Sequence, residues 1–296
     1  MSSVPNLEEL SLVAESLRGA NLQSRSVEWI RAQLAVLYAS YTAIGIDRSA
    51  EQVWYRARKC NAESGFSLLQ DCIYPSAGSI AFGRANLPGL PVLYASWNTT
   101  TAFDEVGAEP GDYIQVIAVR PRTGIQFPCH IVGEYQSIIN LGGSLVNLRK
   151  LEQFVSRLFH DEPASHPANL YIDSFFADSF RRRVERPYEY KTTALFAERF
   201  LAKGGLMYPS VQNAGGINIA VPADAFDSKF EVISTEFSRI DRFYGYGTYQ
   251  TTPLKQSCDF ASDGTINWDS SKRLPARWNM QEGLRTTEPF DGWRKG

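Results

Sequence analysis

The periodicity of apolar residues changes type along this chain, and that change limits the fold more than any single residue does. Residues 6–18 read as a helix with Asn6 as N-cap, Glu9 at the third helical position and Gly19 as the stop. Over 27–44, Ile30, Leu34, Leu37, Tyr41 and Ile44 recur at three- and four-residue spacing and Gly45 follows, which predicts a second helix. From residue 53 the pattern becomes short β-branched and aromatic runs, "VWYRAR", "LPVLYAS" and "DYIQVIAVR", bounded by Gly, Pro, Asn and Asp, as strands are. The helical signal returns over 144–160 and 167–203. There Leu145, Leu148, Leu151, Phe154, Val155 and Leu158 form a stripe that reads as core, and Pro187 divides the second stretch. "GLMYPS" and "GGINIAVP" then read as two strands joined by a polar turn, and 229–260 as further strands and turns, while the tail from 261 is weakly periodic. Helices and strands come in separate runs, so the expected class is α+β. The expected organisation is a helical N-terminal extension (1–50), a central domain (51–230) with a helical insertion at about 144–203, and C-terminal strands with an irregular tail (231–296).

Composition narrows the function classes. A chain of 296 residues with 44% hydrophobic residues can bury a sizeable core. A formal net charge of -2 leaves no basic footprint for non-specific nucleic-acid binding. The short basic run "RRRVER" at 181–186 is either a solvated helix end or a phosphate- or partner-binding patch. The four cysteines, Cys60, Cys72, Cys129 and Cys258, form no C-x-x-C pair, so no metal site is expected. The first residues lack the apolar stretch of a secretory signal, and no run approaches the ~20 apolar residues that span a bilayer. The expectation is a soluble, reduced, cytoplasmic protein with no membrane partner.

No P-loop, no Rossmann glycine fingerprint and no G-x-S-x-G elbow is present. His130, His160 and His166 lack metal-ligand spacing and read as structural or exposed. Chemistry in this chain must therefore use carboxylates, arginines, hydroxyls and tyrosines. In "VWYRARKC", Arg56 and Arg58 project from one side of a strand while Tyr55 and Ala57 face the other. Two guanidiniums so placed suit a phosphate or pyrophosphate, and they equally suit a charged edge strand. "GRANLPG" is a turn able to present Arg84, with Asn86 as a second polar contact. Tyr94 lies on the following strand. "NTTTAFDEVG" reads as a short helix capped by Asn98 or Thr99, with Glu105 near its end, where a carboxylate opposes the macrodipole. Asp104 reads as a surface residue. Ser210, after a strand, can contact a ribose or phosphate oxygen or cap a turn.

Taken together, "WYRAR", "GRANLPGLPVLYAS", "TAFDEV" and "GLMYPSVQNAGGINIA", over roughly residues 53 to 222, resemble the RES domain, a bacterial family named for its Arg, Glu and Ser. The resemblance implies a compact, ADP-ribosyltransferase-like mixed sheet with NAD bound in a cleft as substrate, and no true cofactor. It implies cleavage of the nicotinamide–ribose bond with water or phosphate as acceptor, by an NAD glycohydrolase or NAD phosphorylase. The alternatives are ADP-ribose transfer to a protein, or a non-catalytic nucleotide-binding interaction protein. Many members are toxins restrained by an antitoxin carrying a helix-turn-helix domain, so an antitoxin or immunity protein is the expected partner. By this match Glu105, Arg84 and Tyr94 are the catalytic candidates and Ser210 a substrate contact; Arg56 or Arg58 is the upstream basic residue. The N-terminal helices, the helical insertion and the C-terminal residues depart from the compact family pattern. They are candidates for binding a different immunity partner or a target, or for covering the cleft.

Overall fold

In the computed structural model, which describes residues 6–60 and 63–268, the strand-forming runs join into a single sheet. Its strands are β1 (Gly45–Arg48), β2 (Trp54–Cys60), β3 (Val92–Ser96), β4 (Tyr113–Pro121), β5 (Phe127–Ile131), β6 (Gly205–Pro209), β7 (Ile217–Pro222), β8 (Phe230–Phe243) and β9 (Tyr249–Ser257). They lie in the order β1-β5-β6-β7-β3-β2-β4-β8-β9. β5 and β6 run parallel, and the other neighbours are antiparallel. A parallel pair cannot be closed by a tight turn and needs a crossover. The helical insertion supplies it, with α4 (Glu134–Gln136), α5 (Arg149–Asp161), α6 (His166–Arg181) and α7 (Lys191–Leu201) between the two strands.

Alternation along the central strands sends side chains into two cores. Leu206, Tyr208, Val92 and Ala220 face one side, against α1 (Leu7–Gly19), α2 (Val27–Tyr38), α6 and α7 through Leu10, Leu34, Phe176, Phe180 and Phe196. Met207, Leu93, Ile219 and Val221 face the other side, against Trp54, Phe127, Val155 of α5 and Phe226 of α8 (Ala223–Lys229). Each such Leu, Val or Phe, fully withdrawn from water, contributes about 1.5–3 kcal/mol. A smaller cluster places Ala102 and Phe103 of α3 (Thr99–Glu105) on Ala57, Ile114 and Val116. Thus α3 and the α6–α7 pair both cover the Tyr208 side of the sheet, at different places, and leave β2, β3 and β7 partly uncovered between them.

The α+β expectation holds, with a mixed sheet, helices before it and a helical insertion within it. Residues 231–257 add β8 and β9 to the same sheet, and of the tail expected from 261, residues 269–296 lie outside the described residues. The second helix ends at Tyr38, short of the expected 44. Its apolar period continues in sequence, but Thr42 N–H donates to Asn169 Oδ1 at 2.6 Å and Ile44 crosses into the other core, which requires an extended chain. Gly45 therefore opens a strand, β1, where an added Cβ would sit 2.9 Å from the Cys129 carbonyl oxygen. β1, β5 and α8 were not anticipated. No helix among the described residues is long and apolar enough to cross a membrane.

Candidate active site

The sheet is divided where the site lies. β2 pairs with β4 from Trp54 to Cys60 and β3 pairs with β7 from Val92 to Ser96, yet β2 and β3 share only Tyr55 with Ser96. Beyond that pair the two strands part and Arg56 fills the gap. Its Nη1 donates to the Tyr94 carbonyl at 2.9 Å and its Nε to the Cys72 carbonyl at 3.1 Å. Burial, and then the neighbouring Arg58, lower its pKa to about 10, so it remains a cation at neutral pH. Among the described residues no carboxylate pairs with it. A cavity of about 350 Å³ opens over the split, lined by Tyr55, Arg56, Arg84, Tyr94, Glu105 and Asn218 among others. That volume is at the lower end of ligand pockets.

The glycine-rich turn is held by the strand beside it. Tyr94 Oη donates to Asn86 Oδ1 at 2.8 Å and accepts from Ala85 N–H at 2.9 Å. Asn86 Nδ2 completes the turn through the carbonyls of Ala81 and Leu87. A Cβ at Gly83 would lie 2.2 Å from Asn86 Oδ1, so only glycine permits this closure. The turn presents Arg84 to the last carbonyls of α6. Nη1 donates to the Phe180 carbonyl and, at 3.1 Å, to that of Arg182; the guanidinium also lies 5.0 Å from the centre of the Tyr190 ring. A helix C-terminus is the negative end of its dipole and suits a cation. No ion pair among the described residues neutralises Arg84 either. The run "RRRVER" begins at this helix end; Arg181 donates to Gln136 at 2.9 Å and Arg183 to Gln212 at 3.0 Å.

The carboxylate comes from α3. Asn98 is the N-cap, accepting from Thr101 N–H at 2.7 Å, and Glu105 is the last helical residue. A negative charge there opposes the macrodipole, but two donors hold it. Ser210 Oγ–H donates to Glu105 Oε1 at 2.6 Å, and Asn218 Nδ2 donates to the same oxygen at 2.7 Å. Ser96 Oγ–H donates to Asn218 Oδ1 at 2.7 Å, which fixes the amide with its NH2 towards Glu105. Ser210 Oγ also accepts from the N–H groups of Gln212 and Asn213, so it caps the turn and holds the carboxylate at once.

Arg56, Arg84, Tyr94 and Glu105 thus line one cavity, with Ser210 bonded to Glu105. Arg58 and Asn86 do not line it. Arg58 leaves the same side of β2 as Arg56, but its Nη1 donates to the Asp71 carbonyl and its guanidinium lies 5.4 Å from the Phe66 ring centre. Asn86 is buried within the turn. Asp104, expected on the surface, instead accepts from Asn213 Nδ2 at 2.6 Å and from Tyr249 Oη–H at 2.5 Å. Tyr55, Tyr190, Tyr208 and Asn218 also line the cavity and were missed. Tyr208 is 4% exposed, and burial raises its pKa well above that of a free tyrosine. The signals for this group were available: Tyr55 alternates with Arg56, and Asn218 is polar within the otherwise apolar "INIAVP". Neither His130 nor any cysteine belongs to the site. His130 stacks on Phe200 at 3.9 Å and burial lowers its pKa to about 3; none of the four cysteines forms a disulfide among the described residues.

No curated protein matches the sequence. Among solved structures, a chain of the M. tuberculosis MbcT–MbcA toxin–antitoxin complex is similar at 13% identity and a TM-score of 0.34, over 77% of this chain and 91% of that one. The RES domain family model matches residues 53–239. That span is more than half of the chain and contains every residue described around the cavity, and the chain accordingly belongs to the RES domain family.

Proposed function

We propose that this protein degrades NAD by cleaving the bond between nicotinamide and ribose, with NAD as substrate and no further cofactor. The observation that carries this reading is one cavity holding a carboxylate fixed by two donors, Glu105, together with two arginines, Arg56 and Arg84, that pair with no carboxylate among the described residues. A dinucleotide offers the complementary charges, with an anionic pyrophosphate and a cationic nicotinamide riboside. Arg56 and Arg84 bind the pyrophosphate and orient the substrate. The glycosidic bond breaks with its electron pair moving to the nicotinamide nitrogen, so the pyridinium leaves as a neutral amide and needs no general acid. The ribose carbon becomes cationic, as in the oxocarbenium-like transition state of glycoside hydrolysis, and Glu105 stabilises that charge. The oxygen of water or phosphate then bonds to the ribose carbon; attacking water gives up its proton to the solvent. Tyr94 holds the Arg84 turn and packs against the nicotinamide riboside, and Ser210 keeps Glu105 in place.

In cells such an enzyme is toxic, which accords with an antitoxin or immunity protein as partner. Incubation of the purified protein with NAD, with and without phosphate, followed by identification of every product, tests the reading. Free ADP-ribose indicates hydrolysis, and ADP-ribose-1″-phosphate formed only with phosphate indicates phosphorolysis. Intact NAD in both arms overturns the proposal. The exposed position of Glu105 at the cavity rim also suits a larger acceptor. Label transferred from NAD to protein would select that second activity.

A further inference from the structure

The strand-turn-strand unit of β8 and β9 folds back onto α3 from the side opposite the cavity. Along α3, Ala102, Glu105 and Val106 line the cavity. On the other side, Phe103 meets the Tyr249 ring at 5.3 Å, and Asp104 accepts the Tyr249 hydroxyl proton at 2.5 Å. The second oxygen of Asp104 accepts from Asn213 Nδ2 at 2.6 Å. Asn213 belongs to the β6–β7 turn, where its N–H donates to Ser210 Oγ at 3.1 Å, and Ser210 Oγ–H in turn donates to Glu105. One carboxylate therefore ties the β8–β9 hairpin to both structures that set Glu105, its own helix and the Ser210 turn.

The hairpin is shaped for this approach. Gly247 has φ +70°, and a Cβ there would lie 3.0 Å from Asn213 Nδ2 and 3.5 Å from Asp104 Oδ2. Phe243 stacks on Tyr249 at 4.6 Å and holds the ring over α3. Tyr249 and Gly247 lie beyond the family-matched span, whereas Asp104 and Asn213 lie within it.

We propose that Tyr249 and Asp104 are positioning residues, a clamp by which the C-terminal hairpin fixes Glu105 and Ser210 in their working geometry. The role in catalysis rests on the NAD-cleaving reading; the mechanical coupling does not. A half-buried carboxylate accepting two hydrogen bonds is directional, and loss of one donor frees the turn to shift by a fraction of an ångström. Displacements of about 1 Å in a reacting geometry cost up to roughly a hundredfold in rate.

Tyr249→Phe removes the hydroxyl alone and keeps the ring against Phe103 and Phe243. In this variant kcat for NAD loss should fall roughly tenfold to a hundredfold with KM within about twofold, because the arginines are untouched. Asp104→Asn combined with Tyr249→Phe should cost little more than the larger single effect, as expected of residues acting as a unit. Tyr244→Phe, whose hydroxyl bonds only Gln250 at 2.9 Å, should turn over at the wild-type rate. Amide hydrogen exchange of the 210–216 turn is the second readout and should quicken in Tyr249→Phe whether or not NAD is a substrate. Wild-type kcat in Tyr249→Phe overturns the catalytic role, and unchanged exchange overturns the clamp. If the wild type leaves NAD intact while exchange quickens in the variant, the functional reading fails and the clamp stands.

Discussion

Replacement of Glu105 by Gln separates charge from geometry at the centre of the site. Glu105 receives both hydrogen bonds, from Ser210 Oγ at 2.6 Å and Asn218 Nδ2 at 2.7 Å, on one oxygen. A glutamine carbonyl can occupy that position and accept the same two bonds, so the helix and the turn keep their arrangement. What disappears is the negative charge proposed to face the ribose. Two unit charges ~4 Å apart interact by about 4 kcal/mol at an effective dielectric of ~20 and about 1 kcal/mol in bulk water. Glu105 sits at an exposed rim that the proposed substrate would cover, between these limits, and loss of about 2–4 kcal/mol follows, as for other fixed groups facing transition-state charge. That is roughly a 30- to 1,000-fold fall in kcat. Nicotinamide release under saturating NAD gives kcat, and a urea unfolding midpoint on the same preparation controls for damage to the fold. Turnover at the wild-type rate with an unchanged midpoint would remove Glu105 from the mechanism.

Other perturbations test other parts of the site. Arg84→Ala removes a cation proposed to bind pyrophosphate through charge-assisted bonds worth about 1.5–3 kcal/mol, so KM should rise roughly tenfold to a hundredfold while kcat changes less; an unaltered KM in steady-state assays refutes the assignment. Tyr94→Phe leaves the Ala85 N–H and Asn86 Oδ1 without their partner, and the unfolding free energy should drop by about 1–3 kcal/mol, with a higher KM as the Arg84 turn loosens. A stability curve superimposable on the wild type would show that the hydroxyl does not hold the turn. Glu134 is buried, and burial pushes its pKa up from 4.5 to about 7, against the hydrogen bonds from Ser144 and Leu145. Between those two values the folded protein holds a proton that the unfolded chain releases, so stability falls as pH rises through that window and is level above it. Asp173, raised from 3.8 to about 6 by burial, acts with the same sign at lower pH. Glu134→Gln should therefore flatten the dependence of melting temperature on pH between about 6 and 7, and an unchanged slope there counts against a buried carboxyl at that position.

Much of the site was legible because its parts are local. A turn, a strand and a short helix follow one another from Gly83 to Glu105, and turn glycines, strand alternation and an Asn cap act over a few residues. The hidden parts join distant residues. Arg56 should leave β2 on the side away from Tyr55, and it reaches the cavity only because β2 and β3 separate after one residue pair. Nothing local to "VWYRAR" encodes that separation. Asn86 looked like a ligand contact, but its partner Tyr94 draws it into the turn, and Tyr94 thereby acts as a brace as well as a cavity wall. Asp104 looked solvated because its partners, Asn213 and Tyr249, are 109 and 145 positions away. Second-helix length failed for a related reason: Tyr41 and Ile44 keep a helical period, yet Tyr41 donates to buried Asp173 and Ile44 serves the opposite core.

The same long-range logic joins the helical additions to the chemistry. Arg84 is oriented by carbonyls at the end of α6, and a helix end is only as fixed as the helix. α6 is fixed by Phe176 and Phe180, which pack in one core with Leu10 and Leu17 of α1 and Ile30, Leu34 and Leu37 of α2. Lys191, at the start of α7, closes the group by donating to the carbonyls of Leu22 and Arg25 in the α1–α2 connection, at 2.7 and 2.9 Å. Asp173, in the middle of α6, accepts from Gly133 N–H, Gln136 N–H and Tyr41 Oη–H, and so ties α6 to the strand end before the insertion and to the chain after α2. Residues 7–38 lie before the family-matched span, yet the arginine within that span depends on them for its direction. A guanidinium held by carbonyls and Tyr190, with no carboxylate paired to it among the described residues, remains free to meet an anion. The N-terminal helices and the insertion hold that donor rigid, as the β8–β9 hairpin holds the acceptor side at Glu105, so the two charges are fixed by separate parts of the chain on opposite sides of one cavity, α3 on one and the α6–α7 layer on the other.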